Sequence, residues 1–345
     1  MIKVESQTES PRPAGDDSSV AVIIINWNGW KDTIAAIESI EASDFKSWKV
    51  FIVDNASVDD SVSKLSDLGP NCILLESKDN LGFAGGCNLA AQVAKERGIP
   101  YLFFLNNDAK VESKTLSHLV VTSRTLNNDA ILGAVVRYFP SGEIQFFGSS
   151  RSSLYGTPDW YPGLESELCR HGDLIETDFV FGAAMFVPTN LWKALGSFDE
   201  KYFLNFEETD WCYRASDSGH RCLIVKSAIV HHKANSSIGG FESPIQIYFM
   251  QRNGLLFCER HGTPRQIWRV YRNAFNDLIY RFSQARRATE THRGMKNLQF
   301  RATILAVKDY VLRRFGDCPD IVRKLARDYR DLEAAGRTPA SEQES

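Results

Sequence analysis

The sequence predicts an α/β protein with a mixed, mostly parallel central sheet flanked by helices, followed by a basic helical extension. In the first third of the chain, short β-branched runs alternate with segments of helical spacing, which is the pattern of βαβ units. Charge is uneven, because residues 260–330 carry 17 Lys and Arg against 6 Asp and Glu, while all 345 residues together have a net charge of −3.

The first half of the chain contains four apolar runs, each short enough for a strand buried on both faces. These runs are residues 20–25, 49–53, 73–76 and 101–105. The helices between them are expected to begin at Asp32, at Ser57 or Asp59, and at Cys87 after a glycine-rich loop. Strands and helices that alternate in this way predict a sheet in which neighbouring strands run parallel.

The second half is less regular. Residues 137–178 mix Gly, Ser, Pro and aromatic side chains, which predicts long loops with short antiparallel strands, and two further strands are expected at 179–187 and 221–230. After Pro244 the chain is expected to be helical. An apolar helix face is predicted there from five side chains, Trp268, Tyr271, Phe275, Leu278 and Ile279.

Polar clusters follow all four strands of the first half. They centre on Asn26, Asp54, Asn80 with its glycines, and Asp108. Any one of them is most simply a turn, because Asn, Asp and Gly are common turn residues. All four together favour a ligand site, since ligands of such sheets bind beyond the carboxyl ends of the strands.

A cluster of acids lies further along the chain. Glu207, Glu208 and Asp210 occupy four positions after an apolar run, with Arg214 one helical turn beyond Asp210. Acids this close repel one another, so folding requires a cation or a proton held by a raised pKa. The alternative interpretation is a solvated helix N-terminus, where acids suit the helix dipole.

Seven ordered motifs give the chain a resemblance to a known family over residues 20–262. They are VIIINWNG, VDNAS, NLGFAGGCN, FFLNNDAKV, FGAAMFVP, FEETDWCYR and the pair His231–His232. In this order and spacing they resemble the inverting glycosyltransferases of family 2, in particular the bacterial rhamnosyltransferase-like branch. The tail segments 308–310 and 313–316 resemble that branch more loosely.

The resemblance implies the nucleotide-diphospho-sugar transferase (GT-A) fold for residues 20–262. Residues 20–136 would bind the donor nucleotide and residues 137–262 the acceptor, with a basic helical extension at 263–335 and disordered ends at 1–19 and 336–345. The implied reaction moves rhamnose or another hexose from a dTDP- or UDP-sugar to a hydroxyl of a saccharide or lipid-linked saccharide. The implied setting is the assembly of cell-surface polysaccharide.

The resemblance also assigns donor-binding residues. Asn26 and Asp54 would hold the nucleotide base, since a carboxylate can accept the imide N–H of uracil or thymine. The same pocket would be lined by five further residues, Asn80, Gly82, Asn88, Asn106 and Asn107.

Metal and catalytic roles follow from the same motifs. Asp108 would bind Mg²⁺ or Mn²⁺ together with His231, while His232 is interpreted as an outer or exposed histidine. Glu208 would be the catalytic base, with Glu207 as the alternative. Asp210 and Arg214, also placed in the catalytic group, would hold the base in position.

Two departures from the family pattern keep other functions open. Asn106 stands where the metal motif has its first Asp, and Glu208 stands where the base is usually Asp, so a non-catalytic sugar-nucleotide-binding domain is one alternative. A sugar-1-phosphate nucleotidyltransferase is another, although the loop Asn26–Gly29 lacks the arginine expected of that class.

Location and partners are predicted from composition. Seven cysteines without a CxxC pair, and an N-terminus without an apolar signal segment, predict a cytoplasmic protein. The basic tail is open to three interpretations: a solvated surface, a peripheral contact with the inner face of the cell membrane, or nucleic-acid binding. The last is disfavoured because no recognised nucleic-acid-binding motif accompanies the charge.

Overall fold

The structure is a computed structural model that describes residues 3–4, 19–150, 159–160, 165–233, 240 and 242–336. These residues divide into two compact units, and the chain passes from the first to the second near residue 234.

The N-terminal unit contains thirteen strands and seven helices among its described residues. The strands are β1 (Lys3–Val4), β2 (Val20–Asn26), β3 (Trp48–Asn55), β4 (Cys72–Ser77), β5 (Tyr101–Leu105), β6 (Ala109–Val111), β7 (Ala130–Tyr138), β8 (Ile144–Phe146), β9 (Ser149–Ser150), β10 (Asp159–Trp160), β11 (Leu174–Thr177), β12 (Ala184–Pro188) and β13 (Arg221–His232). The helices are α1 (Trp30–Glu41), α2 (Ser61–Leu65), α3 (Gly82–Glu96), α4 (Thr115–Thr125), α5 (Glu165–Leu168), α6 (Thr189–Leu195) and α7 (Glu207–Asp217).

Eleven strands form one mixed sheet in the order β1-β4-β3-β2-β5-β12-β7-β13-β11, with β6 paired to β13 and β8 to β7. β2 runs parallel to both β3 and β5, so the carboxyl ends of these three strands lie at one edge. β12 runs antiparallel to β5, with Ala184 opposite Leu105. β6 pairs with the end of β13, where Ala109 lies opposite His232. The segment before β12 and the carboxyl end of β13 are thereby brought to the same edge.

Some element boundaries differ from those predicted. α3 begins at Gly82 rather than Cys87, because the Phe203 carbonyl accepts hydrogen bonds from the backbone N–H of Phe83 (2.7 Å) and Ala84 (3.3 Å). This cap comes from a residue distant in sequence, so the local pattern gives no sign of it. α1 begins at residue 30 and contains Asp32 in its first turn.

The N-terminal segment also departs from expectation. Residues 3–4, which we predicted to be disordered, form β1 and pair antiparallel with β4. The rest of the predicted disordered ends, apart from residues 19 and 336, lies outside the described residues.

The C-terminal unit is helical, with α8 (Pro244–His261), α9 (Pro264–Arg287), α10 (Glu290–Val311) and α11 (Asp320–Gly336). Its core is formed by Ile247, Leu298, Ala302, Leu325 and Tyr329. α8 therefore groups with the C-terminal helices, whereas the sequence boundary placed it before residue 263. The predicted division into a donor-binding part (residues 20–136) and an acceptor-binding part (residues 137–262) stays a prediction.

A buried arginine organises this unit. The guanidinium of Arg252 donates to the Gly316 carbonyl (2.7 Å) and lies over the rings of Tyr248, Phe249 and Phe315. The Tyr248 hydroxyl donates to Asp309 (2.7 Å). The tail segments singled out in the sequence thus serve to hold α8 to the rest of the unit. No described helix offers an apolar stretch sufficient to cross a membrane.

We predict that Gly82→Ala destabilises the protein more than Gly98→Ala does. Both glycines have a left-handed backbone, with φ of +70° and +71°, so an L side chain costs roughly 1–2 kcal/mol at either position. At Gly82 the new Cβ would also lie 2.4 Å from the Phe203 carbonyl oxygen, whereas at Gly98 it meets nothing within 4 Å. Thermal unfolding of both variants measures the difference, and equal melting temperatures would contradict the prediction.

Candidate active site

Asn26 and Asp54 meet at the carboxyl edge of the sheet, as the sequence predicted. The Asn26 amide donates to Asp54 Oδ1 (2.8 Å), and both residues are buried. The Ser57 N–H donates to Asp54 Oδ2 (3.0 Å), and the Thr33 hydroxyl donates to Asn26 Oδ1 (2.8 Å). Every polar atom of the pair therefore has a fixed position, and each carboxylate oxygen keeps a lone pair for a further donor.

Asn28 and Ser57, to which we had assigned no part in the site, join the loops after β2 and β3. The Asn28 N–H donates to the Ser57 hydroxyl (2.9 Å), and Asn28 Oδ1 accepts from the Val58 N–H (2.8 Å). Asn107 lies over the same loop, since a Cβ added to Gly29 would be 2.7 Å from its amide nitrogen. The sequence signal for this contact was the presence of Asn28 in the motif VIIINWNG and of Ser57 in the motif VDNAS.

The three predicted donor residues of the third loop bond mainly within the protein. Asn80 Oδ1 accepts from the Gly82 N–H (2.9 Å), which closes a local turn. The Asn88 amide donates to the Phe198 carbonyl (3.0 Å) and to Glu200 (3.0 Å), and Asn88 Oδ1 accepts from the Phe198 N–H (3.0 Å). Asn88 thus ties α3 to the segment before α7, and donor binding by these three residues stays a prediction.

Asp108 lies beside a histidine at the end of β13, and that histidine is His232. Nε2 of His232 is 3.1 Å from Asp108 Oδ1 and 3.1 Å from the Asn106 amide nitrogen. Its Nδ1 is 2.9 Å from Gln145 Oε1. Asp108, His232 and Gln145 are all buried, so the group is shielded from bulk water.

The structure places His232, rather than His231, beside Asp108. We expected His231 beside Asp108, but its Nε2 lies 2.9 Å from Glu112 and its side chain is partly exposed. Successive side chains of a strand point to opposite faces, so only one of two adjacent histidines on β13 can face Asp108. The register of β13, which the sequence did not reveal, decides which one.

Three consecutive residues connect this group to the acid cluster. The Phe181 ring lies edge-on to His232, with centroids 5.9 Å apart, and the Ala183 carbonyl accepts from the Asn106 N–H (3.3 Å). Between them, Gly182 lies against the Glu208 carboxyl, and its backbone N–H lowers the pKa of that group. A Cβ on Gly182 would lie 3.3 Å from Glu208 Cδ, so a side chain there would press on the carboxylate.

The acids of α7 are buried, so the solvated-helix interpretation is wrong. Burial raises the pKa of Glu207 well above its usual range, and the neighbouring Glu208 raises it further. Burial also raises the pKa of Glu208, although backbone N–H groups of Glu208, Gly182 and Thr209 oppose the shift by stabilising the ionised form. Oε2 of each glutamate has no hydrogen-bond partner among the described residues.

The two glutamates differ in their surroundings. Glu208 contacts the Gly182 segment. The pKa of the Cys87 thiol on α3 is raised mainly by burial, then by Glu207 and to a smaller extent by Glu208. For Glu207, the one group that lowers the pKa is its own backbone N–H. Glu208 is therefore the carboxyl with more support for a negative charge.

Asp210 and Arg214 fix the start of α7. Asp210 accepts from the Tyr202 hydroxyl (3.1 Å) and from Arg214 Nε (3.0 Å). Arg214 also donates to the carbonyls of Leu195 (2.7 Å) and Ser197 (2.8 Å). These contacts hold the segment before α7 against the helix, and any direct contribution of the pair to catalysis stays a prediction.

The turn into α7 is unusual in its backbone. Three non-glycine residues shortly before or at the helix start, Phe203, Asn205 and Phe206, have φ values of 63°, 67° and 76°. Left-handed conformations of such residues cost free energy and persist only where the surroundings enforce them. They aim the first turn of α7 toward Gly182.

Residues 21–189 match the family model described as Glycosyl transferase family 2. The chain carries a family 2 glycosyltransferase domain. The resemblance of the seven motifs is thereby confirmed, and the family makes the protein a glycosyltransferase.

Curated relatives of this glycosyltransferase are distant in sequence. It is 21% identical over 262 residues to the dTDP-rhamnosyl transferase RfbF of Shigella flexneri, covering 72% of this chain and 82% of that protein. It is 23% identical over 251 residues to the low-salt glycan biosynthesis hexosyltransferase Agl10 of Haloferax volcanii, covering 69% and 74%.

Solved structures confirm the predicted GT-A fold. GalNAc-T7 with UDP, GalNAc and Mn²⁺ aligns with a TM-score of 0.58 at 12% identity, over 86% of this chain and 58% of that one. The mannosyltransferase PcManGT from Pyrobaculum calidifontis, in complex with GDP-Man and Mn²⁺, aligns with a TM-score of 0.54 at 16% identity, over 98% and 92%.

The residues at the end of β5 fit a divalent cation. Two adjacent ligands of an octahedral ion bound at about 2.1 Å lie about 3 Å apart, close to the 3.1 Å between Asp108 Oδ1 and His232 Nε2. Within the described part of the chain, His, Cys, Asp and Glu side chains form no group of three or more that could hold a metal. Two protein ligands suit an ion whose remaining positions are filled by the diphosphate and water.

We predict that Glu207→Gln stabilises the protein in a pH-dependent way. Since the folded pKa of Glu207 exceeds its unfolded value, protonation favours the folded state below about pH 4.5, and this advantage is lost as pH rises through the folded pKa. The variant should match the wild type at low pH and gain up to about 1.4 kcal/mol per pH unit above that.

Denaturant unfolding between pH 5 and pH 8 measures this gain. Glu143→Gln removes an exposed carboxylate and is the matched control for the loss of one negative charge. A Glu207→Gln variant that is destabilised equally at every pH would contradict the prediction.

Proposed function

We propose that the protein is an inverting glycosyltransferase that moves rhamnose or another hexose from a dTDP- or UDP-sugar to a hydroxyl of a saccharide or lipid-linked saccharide. The supporting observation is the link between Glu208 and the Asp108–His232 pair through residues 181–183. Direct displacement requires the base and the diphosphate site to be no further apart than one sugar unit. Residues 181–183 lie against both Glu208 and the group formed by Asp108, His232 and Asn106.

The donor side rests on the Asn26–Asp54 pair. Asp54 accepts the imide N–H of the nucleotide base, and Asn26 and Ser57 hold its carboxylate in place for that contact. A divalent cation bound by Asp108 and His232 would neutralise charge on the diphosphate leaving group. The Asn106 amide lies 3.1 Å from Nε2 of His232 and so holds the imidazole beside Asp108; a bound cation would take the Nε2 lone pair in place of that amide.

The acceptor side rests on Glu208. Its unpartnered oxygen takes the proton of the acceptor hydroxyl as that oxygen attacks the anomeric carbon, and the sugar–phosphate bond breaks on the opposite face. The anomeric configuration is therefore inverted without a covalent intermediate. Glu207 does not serve as the base in this scheme, because burial and the neighbouring Glu208 disfavour its charge.

The relatives support the substrate classes. RfbF is named as a dTDP-rhamnosyl transferase. An N-acetylglucosaminyl-diphospho-decaprenol L-rhamnosyltransferase of Mycobacterium tuberculosis is 24% identical over 208 residues, 54% of this chain and 67% of that protein. By analogy we assign this protein to cell-surface polysaccharide assembly, with a lipid-linked acceptor reached from the cytoplasm.

A panel of dTDP- and UDP-sugars tests the proposal. Each donor is incubated with Mg²⁺ or Mn²⁺, and hydrolysis and thermal stabilisation are recorded, since a bound donor raises stability by mass action. Release of the nucleoside diphosphate supports a transferase. Stabilisation without any release would support a binding domain, and release of pyrophosphate from a nucleoside triphosphate and a sugar 1-phosphate would support a nucleotidyltransferase.

We predict that Glu208→Gln lowers kcat by about 100-fold or more, the usual effect of removing a positioned base. Donor-induced stabilisation should remain, because the amide keeps the shape of the side chain. Glu207→Gln should have a smaller effect on kcat. The fall of kcat/KM on the acidic side, which reflects protonation of a carboxyl whose pKa is raised, should disappear in the Glu208 variant. An active Glu208→Gln enzyme beside a dead Glu207→Gln enzyme would reassign the base.

We predict that His232→Ala and Asp108→Ala lose metal-dependent activity, whereas His231→Ala retains most of it. The two histidines are neighbours in sequence, but only His232 lies beside Asp108. Titration with Mn²⁺ in the presence of a nucleoside diphosphate, followed by thermal shift, separates metal binding from turnover. Equal losses in both histidine variants would argue against a site built on His232.

A further inference from the structure

An exposed row of large apolar side chains runs along α9. Its members follow one another at intervals of three or four residues, which places them on one face of the helix. We call this row the aromatic stripe, and it consists of Trp268, Tyr271, Phe275, Ile279 and Phe282. Trp268 and Phe275 are each 62% exposed, and the other three are more than 40% exposed.

Most of the stripe lies outside the packed face of α9, although its Tyr271 and Phe282 also contact α10. The Tyr271 hydroxyl is 2.7 Å from that of Tyr310, and the ring centres of Phe282 and Phe300 are 5.4 Å apart. The buried residues of the helix are Val270, Ala274 and Ala285, all smaller than the stripe residues. A helix that packs small residues inward and exposes a Trp and two Phe departs from the usual arrangement, in which the large apolar side chains face the core. Exposed apolar surface of this kind marks an interaction site.

The charges on α9 are mostly positive. α9 contains six arginines and a single acid, Asp277, which is paired with Arg281 (2.9 Å). The guanidinium of Arg272 lies 4.9 Å from the Trp268 ring centre, and that of Arg286 lies 5.1 Å from Phe282. Cations therefore lie directly beside the apolar surface.

We propose that the aromatic stripe and its arginines bind an anionic lipid surface, with α9 lying in the plane of the headgroups. Trp, Tyr and Phe between arginines are the side chains suited to that interface, where rings enter the acyl boundary and guanidinium groups meet phosphates. The stripe spans about 21 Å at 1.5 Å per residue, long enough for several headgroups.

A second copy of the chain is a poorer occupant. In a symmetric dimer built on this face, each stripe would meet its own counterpart and bring the same arginines together. Like charges brought together in this way repel, and α9 has no unpaired acid to offset them. An anionic surface removes the repulsion instead.

Vesicle binding by the full chain tests the proposal. The protein is sedimented with large vesicles of phosphatidylcholine alone, or with about one third phosphatidylglycerol, at low salt and near 0.5 M salt. We expect binding to the anionic vesicles at low salt, at least fivefold weaker binding at high salt, and little binding to the neutral vesicles. Equal binding to both vesicle types, or to neither, would overturn the proposal.

Two pairs of variants identify the surface. The double variant Arg272→Glu, Arg286→Glu should reduce binding at least tenfold. The control is the double variant Arg301→Glu, Arg330→Glu, which makes the same change in net charge at exposed positions of α10 and α11. Equal losses would show that total charge, not the stripe, governs binding, and would overturn the proposal.

The apolar part is tested separately. Trp268→Ser with Phe275→Ser should weaken binding as strongly without changing charge, and Val121→Ser on α4 is the exposed apolar control. If the stripe change instead converts a dimer to a monomer in light scattering and leaves vesicle binding intact, the face is a contact between copies and the proposal fails.

Donor hydrolysis in free solution should be unchanged in every variant. Failure of the proposed transfer reaction would not alter the vesicle result.

Discussion

Burying Glu207 and Glu208 side by side costs free energy, because each carboxyl loses water and each disfavours the charge of the other. The surrounding structure meets this cost in two ways. Backbone N–H groups, including that of Gly182, lower the pKa of Glu208 and so oppose the effect of burial, while the pKa of Glu207 is held well above its usual range. The two carboxyls occupy adjacent positions of a single helix turn but differ in how well their surroundings support a negative charge. In the proposed mechanism that asymmetry would let Glu208 act as the base.

The same constraint explains the irregular segment before α7. The left-handed residues Phe203, Asn205 and Phe206 would be unfavourable in an isolated chain. They are held by bonds at both ends: Tyr202 and Arg214 anchor Asp210, and the Phe203 carbonyl caps α3. Strain in the turn is thus offset by contacts that also fix the donor-side helix. Gly82 is required because its backbone approaches Phe203 too closely for any side chain.

Much of the fold could be predicted because its signals are local. The buried strands are continuous apolar runs, and the polar residues that follow them converge because parallel strands end at one edge. The pairing of Asn26 with Asp54 required no more than that. The start of α3 could not be predicted, since its cap comes from Phe203, more than a hundred residues away in sequence. The choice between His231 and His232 depends on strand register, and the outward orientation of the α9 aromatics depends on what the neighbouring helices cover. The spacing of residues in the sequence reveals neither the strand register nor the orientation of these aromatic side chains.

The cap that Phe203 provides has a mechanical consequence. Its carbonyl is bonded to the first turn of α3, and four residues later α7 begins with the two glutamates. A displacement of the Glu208 backbone would therefore stretch hydrogen bonds at the other helix, and a displacement of α3 would pull on the turn that aims the carboxylate. The position of the Glu208 carboxyl is therefore set when the chain folds. In the proposed transfer little reorganisation of the base would be left for the moment of reaction, because the entropy of placing it was already lost in folding.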